Sequence, residues 1–229
     1  MFVVQLIFTI AQMNKSAELN RFRLKKVGIA IVIVLHLVGA VGFLSPLSNW
    51  FVFLTPVNMI ITAGMIWIDS KQGNVLGWPI ALTIILLGYV VEIVGVKTGM
   101  LFGNYEYGEV LGWKFFEVPP IIGVNWLVVI WGSYSFVHSF KVHKYLRWIA
   151  VGLMATLLDM LIEPVAIHFG FWQWAGGKPP LQNYIAWFIV ACVMALLFEK
   201  YPLVAKPRLG TVAIVCQFLF FGLLLYVIS

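Results

Sequence analysis

The sequence predicts an all-α fold, a polytopic integral membrane bundle of about seven transmembrane helices with its N-terminus inside. Three observations carry that expectation. The 229 residues are 62% hydrophobic and only 10% charged, with a mean hydropathy of +0.98, well outside the range of soluble domains. Apolar runs of about 20 residues recur along the chain, each long enough to cross about 30 Å of hydrocarbon as a helix. Basic residues gather in alternate connections between those runs. So little sequence separates the runs that residues 1–229 read as a single transmembrane domain.

Residues 1–12 are apolar but too short to span, and they lack the basic lead of a signal peptide, so they read as an interfacial segment. Lys15, Arg21, Arg23, Lys25 and Lys26 follow, completing a lead-in over 1–26. The predicted spans are 27–45, 50–68, 77–96, 120–138, 147–168, 184–200 and 209–228. With the N-terminus inside, the inner segments also hold Lys71, Lys141, Lys144, Arg147, Lys200, Lys206 and Arg208. The outer loops hold only Lys97, Lys114 and Lys178. That asymmetry, twelve cations against three, fixes the expected orientation. It also disposes of nucleic acid as a partner, because the net charge of +6 sits in short loops against anionic lipid. Cys192 and Cys216 fall within spans, where a thiol packs as a small apolar group, and they imply neither a disulfide nor a metal framework.

Three acids interrupt the apolar runs. Asp159 and Glu163 stand four residues apart, on one helix face and roughly 6 Å apart along the axis. Pro164 follows and removes a backbone donor beside them. Glu92 lies about a turn from the outer end of the third span. Acids in hydrocarbon cost several kcal/mol, so they face the protein interior as functional groups or as hydrogen-bonding glue between helices. The topology brings Asn125, Asn183 and Tyr184 to the same outer half. The two longest outer loops, 97–119 and 169–183, add Tyr105, Tyr107, Trp172 and Trp174, so one pocket on that side is expected. Gly95, Gly99 and Gly103 repeat every four residues; Gly95 reads as close helix packing, and the other two as packing or a tight turn.

Chemistry follows by residue type. His36, His138, His143 and His168 form no histidine box, so paired-metal oxygenase chemistry lacks its ligands. His168 could relay a proton or simply close a helix end. Gly-rich nucleotide loops and a Gly-x-Ser-x-Gly elbow are also missing from the sequence. Carboxyls in apolar surroundings remain. One of Glu92, Asp159 and Glu163 is expected to keep its proton at neutral pH, beside an ionised neighbour that acts as base. Aromatic faces stabilise a developing cation. The combination suits protonation of an electron-rich alkene in a lipid, then capture of the tertiary cation. Trp50 and Trp78 read instead as an interfacial belt.

Two blocks of sequence carry a resemblance. The first is Gly88-Tyr-Val-Val-Glu92-Ile-Val-Gly95-Val-Lys-Thr-Gly99, continuing through Phe102-Gly-Asn-Tyr105-Glu-Tyr107, Leu111-Gly112 and Val118-Pro119 to Asn125-Trp126. The second is Asp159-Met-Leu-Ile-Glu163-Pro164, then Phe171-Trp172-Gln-Trp174, Pro180, Asn183-Tyr184 and Trp187-Phe188. Together they resemble the "carotenoid biosynthesis protein" family of membrane carotenoid hydratases over a core of residues 88–188. Met100-Leu101 departs from the pattern, where a Pro is expected before Phe-Gly.

The resemblance implies addition of water to the terminal double bond of an acyclic or monocyclic carotenoid, giving a tertiary alcohol without a cofactor. Asp159 or Glu92 is then the expected proton donor and Glu163 the expected base, although the labels can be exchanged. Tyr105, Tyr107, Trp126, Trp172, Trp174 and Tyr184 are expected to line the substrate site, with Asn125 and Asn183 orienting water or carboxyls. A carotenoid cyclase would use the same acid and quench the cation internally. A transporter or lipid-binding scaffold would use buried acids to bind protons or cations. Partner proteins and oligomeric state are not written in the sequence.

Overall fold

The computed structural model describes the backbone of residues 2–70, 77–200 and 208–229, and side chains from residue 23 onward within those ranges. Helix α1 runs unbroken over Phe2–Phe43. It is followed by α2 (Ser48–Phe51), a 3₁₀ turn (Val52–Leu54) and α3 (Thr55–Asp69), which together make the second span. Then come α4 (Gly77–Thr98), β1 (Tyr105–Tyr107), α5 (Ile121–Ser139), α6 (Lys144–His168), β2 (Trp172–Trp174), α7 (Leu181–Lys200) and α8 (Arg208–Ile228). Among the described residues, seven stretches are long and apolar enough to cross a membrane. The chain is a seven-span helical membrane bundle.

The backbone of residues 2–12, within the expected interfacial segment, is helical and continuous with the rest of α1. Lys71 and Lys206 lie outside the described residues, as do the side chains of Lys15 and Arg21. Pro164 does not end α6, which continues four residues further to His168.

Helix α5 is the hub. Fourteen of its 19 residues are buried, and it packs against α3, α4, α6, α7 and α8. An α-helix buried on nearly every face is mainly apolar all round, and α5 is so apart from the buried Asn125, Ser133 and Ser135. The outer helices instead show large apolar side chains to the surroundings, Val41, Leu219 and Trp50 among them, as contact with lipid tails requires. One end of the bundle is tied by ion pairs. Lys25 meets Asp69 at 2.9 Å and Arg147 meets Glu199 at 2.6 Å. Asp69 also accepts the first-turn backbone N–H of Leu209 at 2.9 Å, binding α3 to α8.

The other end carries a two-stranded antiparallel ribbon. Strand β1 pairs with β2 in the register Tyr105↔Trp174, Glu106↔Gln173, Tyr107↔Trp172. Both stretches read as loops in the sequence. Their alternation is nonetheless that of strands, with Glu106 and Gln173 exposed between inward aromatics. Because side chains alternate across a strand, all four aromatics fall on one face of the ribbon. That face is turned toward the carboxyls of α4 and α6.

Candidate functional site

Glu92 projects from α4 and is only 3% exposed. Its Oε2 accepts hydrogen bonds from the phenols of Tyr105 at 2.5 Å and Tyr107 at 2.7 Å. Its Oε1 accepts one from Trp126 Nε1 at 2.9 Å. Burial, and then the Glu92 carboxyl beside them, push both phenols above the ordinary tyrosine range, so each remains a donor. Two glycines on the same face of α4 make this geometry possible. A Cβ on Gly88 would come within 2.7 Å of Trp126, and one on Gly95 within 2.4 Å of Phe102. Gly99 and Gly103 have φ of +64° and +106°, so both are turn glycines leading into β1.

Helix α6 supplies the other two acids. Glu163 Oε2 accepts from the indole N–H groups of Trp172 and Trp174 at 2.9 and 2.8 Å. The Asn183 amide, from α7, bridges the pair, donating to Glu163 Oε1 at 3.2 Å and to Asp159 Oδ2 at 2.9 Å. Across the ribbon Tyr105 lies against Trp174, ring centres 4.9 Å apart, and Tyr107 against Trp172 at 6.0 Å. One ribbon face therefore holds both glutamates, tyrosines on Glu92 and tryptophans on Glu163.

All three carboxyls line one small cavity of about 20 Å³, room for about one water molecule. No lysine or arginine pairs with any of them among the described residues. Their partners are neutral donors only. Such carboxyls are free to exchange protons with a guest, because no fixed cation locks them as anions.

Beside this cavity lies a larger one of about 210 Å³, walled mainly by apolar side chains of α1, α3, α5 and α8. Ile122, Asn125, Ile162 and Trp172 belong to the linings of both. Asn125 stands at this partition, buried and with no side-chain hydrogen bond among the described residues. An amide so placed has donors and an acceptor left for water or substrate.

Two expected lining residues take other positions. Trp126 is fully buried behind Glu92, stacked on Trp187 at 3.9 Å, and it lines neither cavity. Trp187 faces the small cavity in its place. Tyr184 also lines neither, because the residue after Asn183 is turned about 100° around α7. Trp187 shares the Asn183 face at a spacing of four, a signal present in the sequence. His168 is exposed at the end of α6 against Phe169 and lines neither cavity, so it is not placed to relay a proton to the acids.

Residues 52–229 match the family described as "Carotenoid biosynthesis protein". The chain belongs to that family. The match takes in every carboxyl of the site, the ribbon and the final span, and it leaves α1 outside. The chain is also similar to the bisanhydrobacterioruberin hydratase of Haloarcula japonica, with 29% identity over 212 residues, covering 82% of this chain and 68% of that protein. No solved structure matches.

Proposed function

We propose that this protein is a hydratase that adds water across the terminal double bond of an acyclic carotenoid end group, giving a tertiary alcohol without a cofactor. The observation that carries the reading is the shared wall between a carboxyl-lined cavity sized for one water and an apolar cavity sized for an end group. Family membership and the related hydratase supply the substrate class and the reaction type.

The donors distribute the roles. Glu92 and Glu163 each receive three hydrogen bonds, which engage both oxygens of each carboxyl as acceptors. Asp159 receives one, from Asn183, and its second oxygen has no side-chain partner among the described residues. Asp159 is therefore the proton donor. Its proton goes to the less substituted alkene carbon, and the π pair forms the new C–H bond. The cation develops at the carbon bearing two methyls, beside aromatic rings and the Glu92 carboxyl. A water lone pair closes the C–O bond, and the water's proton passes to Glu163. Asn183 holds both carboxyls of α6, so return of the proton from Glu163 to Asp159 resets the site. Atoms balance, no electrons are lost, and the product gains one water.

Expression in a host that accumulates lycopene, with mass analysis of the pigments, tests the reaction. A gain of one water per modified end supports it, whereas an isomeric product of unchanged mass would indicate cyclisation. Asp159→Asn preserves shape but cannot protonate an alkene, so product per mole of folded protein should fall at least about 100-fold. Glu163→Gln and Glu92→Gln should also be impaired, with normal yield. Normal turnover in all three amides would leave the carboxyls as structural hydrogen-bonding groups only.

A further inference from the structure

The larger cavity is not sealed. Of the side chains in its wall only Val38, Leu54 and Val57 are exposed, at 50%, 54% and 51%. Val38 is on α1, while Leu54 and Val57 belong to the second span, so the mouth lies between those two spans. It is not at the end of the bundle, because Val38 is five residues before the last residue of α1, about 8 Å down the helix. At that depth the mouth faces acyl chains rather than water. The same two spans are held together at their far ends by Lys25 and Asp69, which confines the gap to the half that contains the carboxyls.

Size sets what can sit inside. A dry cavity of about 150 Å³ accepts benzene, so about 210 Å³ takes a somewhat larger hydrocarbon group but not a whole carotenoid. The rest of a long chain must leave through the mouth. We infer that an acyclic carotenoid enters sideways from the bilayer between α1 and α3, seats its end group in the larger cavity against Asn125 and Trp172, and leaves its polyene in the lipid. Half of this portal comes from α1, the helix outside the family match. Helix α1 thus completes the binding site rather than merely bracing the bundle. The inference rests on the hydratase reading for what happens to the end group, not for how the end group arrives.

The test separates arrival from chemistry. Full-length protein is reconstituted in phosphatidylcholine–phosphatidylglycerol vesicles containing lycopene, and both retained pigment and hydrated product are measured per mole of protein. Val38→Trp and Val57→Trp narrow the mouth from its lipid-facing side; Leu37→Trp adds the same bulk at an exposed residue outside the wall. The portal variants should lose at least tenfold in both readouts, and Leu37→Trp neither. Asp159→Asn should lose product but keep pigment. Wild-type pigment retention in both portal variants, or equal loss in Leu37→Trp, would overturn the inference. Pigment retained by the wild type with no product formed, and lost in the portal variants, would uphold the portal and defeat the hydratase reading.

Discussion

Glu163 is gripped by two indoles and an amide, and that grip is where single atoms decide function. Trp174→Phe keeps a ring against Tyr105 but removes the Nε1–H that reaches Glu163 at 2.8 Å. A hydrogen bond to a charged group contributes about 1.5–3 kcal/mol, so turnover should fall roughly 10- to 100-fold with little change in yield. Kinetics on purified Trp174→Phe and Trp172→Phe check this; unchanged rates would mean that the indoles only pack. The phenols on Glu92 set a limit on the alkaline side. Their neutral form is favoured in the folded protein, because burial and Glu92 push both upward. Their stabilising share is present below the unfolded tyrosine pKa of about 10 and declines as pH rises above it. Thermal midpoints should show no phenol-dependent loss between pH 7 and 9, and should fall above about 10 in the wild type more than in Tyr107→Phe.

At the scale of the element, α4 and the ribbon show what a sequence can reveal. Of the glycine repeat, Gly95 is the close-packing residue expected while Gly99 and Gly103 are turn glycines; Gly88, outside the repeat, shares with Glu92 and Gly95 the face of α4 that meets Trp126, Phe102 and Tyr105. Gly88→Ala should therefore cost about 1–3 kcal/mol through overpacking and push Trp126 off Glu92, lowering activity as well as thermal midpoint. Gly64→Ala on α3 meets nothing within 4 Å and should be neutral or stabilising by up to about 1 kcal/mol; a loss at Gly64 equal to that at Gly88 would sink the packing argument. The spans were legible because some 20 apolar residues leave one option in hydrocarbon. The strands were hidden for the opposite reason. Three residues carry too little hydropathy signal, and their partner lies a whole helix pair away in sequence. Tyr105-x-Tyr107 and Trp172-x-Trp174 alternate as strands do, yet their pairing is a tertiary fact. Likewise Asp159, Glu163 and Glu92 stood out by cost alone, whereas Trp126 and Tyr184 required the rotation of α5 and α7 about their axes. The portal was invisible in sequence, since it is a gap between two helices that each look like ordinary spans.

At the scale of the whole molecule, the two ends of the bundle differ in kind. One end carries the ion pairs of Lys25 with Asp69 and Arg147 with Glu199, along with Lys144 and Arg208 at helix starts. The other carries the ribbon and the carboxyls, and its ion pairs, Lys97 with Glu117 and Lys114 with Glu109, lie in or beside the connection between α4 and α5 with an exposed acid in each. We propose that the basic end faces the cytoplasm, because lysine and arginine near span ends are retained on that side, and that the carboxyl site therefore sits in the outer half of the cell membrane. Labelling decides it. In a background with Cys192 and Cys216 replaced by Ala, Lys178→Cys lies in the exposed turn between β2 and α7, and Lys144→Cys at the exposed start of α6. A membrane-impermeant maleimide applied to intact cells should label Lys178→Cys at once, and Lys144→Cys only after permeabilisation. The reverse pattern would turn the bundle over and put the carboxyls on the cytoplasmic side. It would leave the portal between α1 and α3 untouched, because a mouth about 8 Å below the helix end opens into lipid whichever way the bundle points.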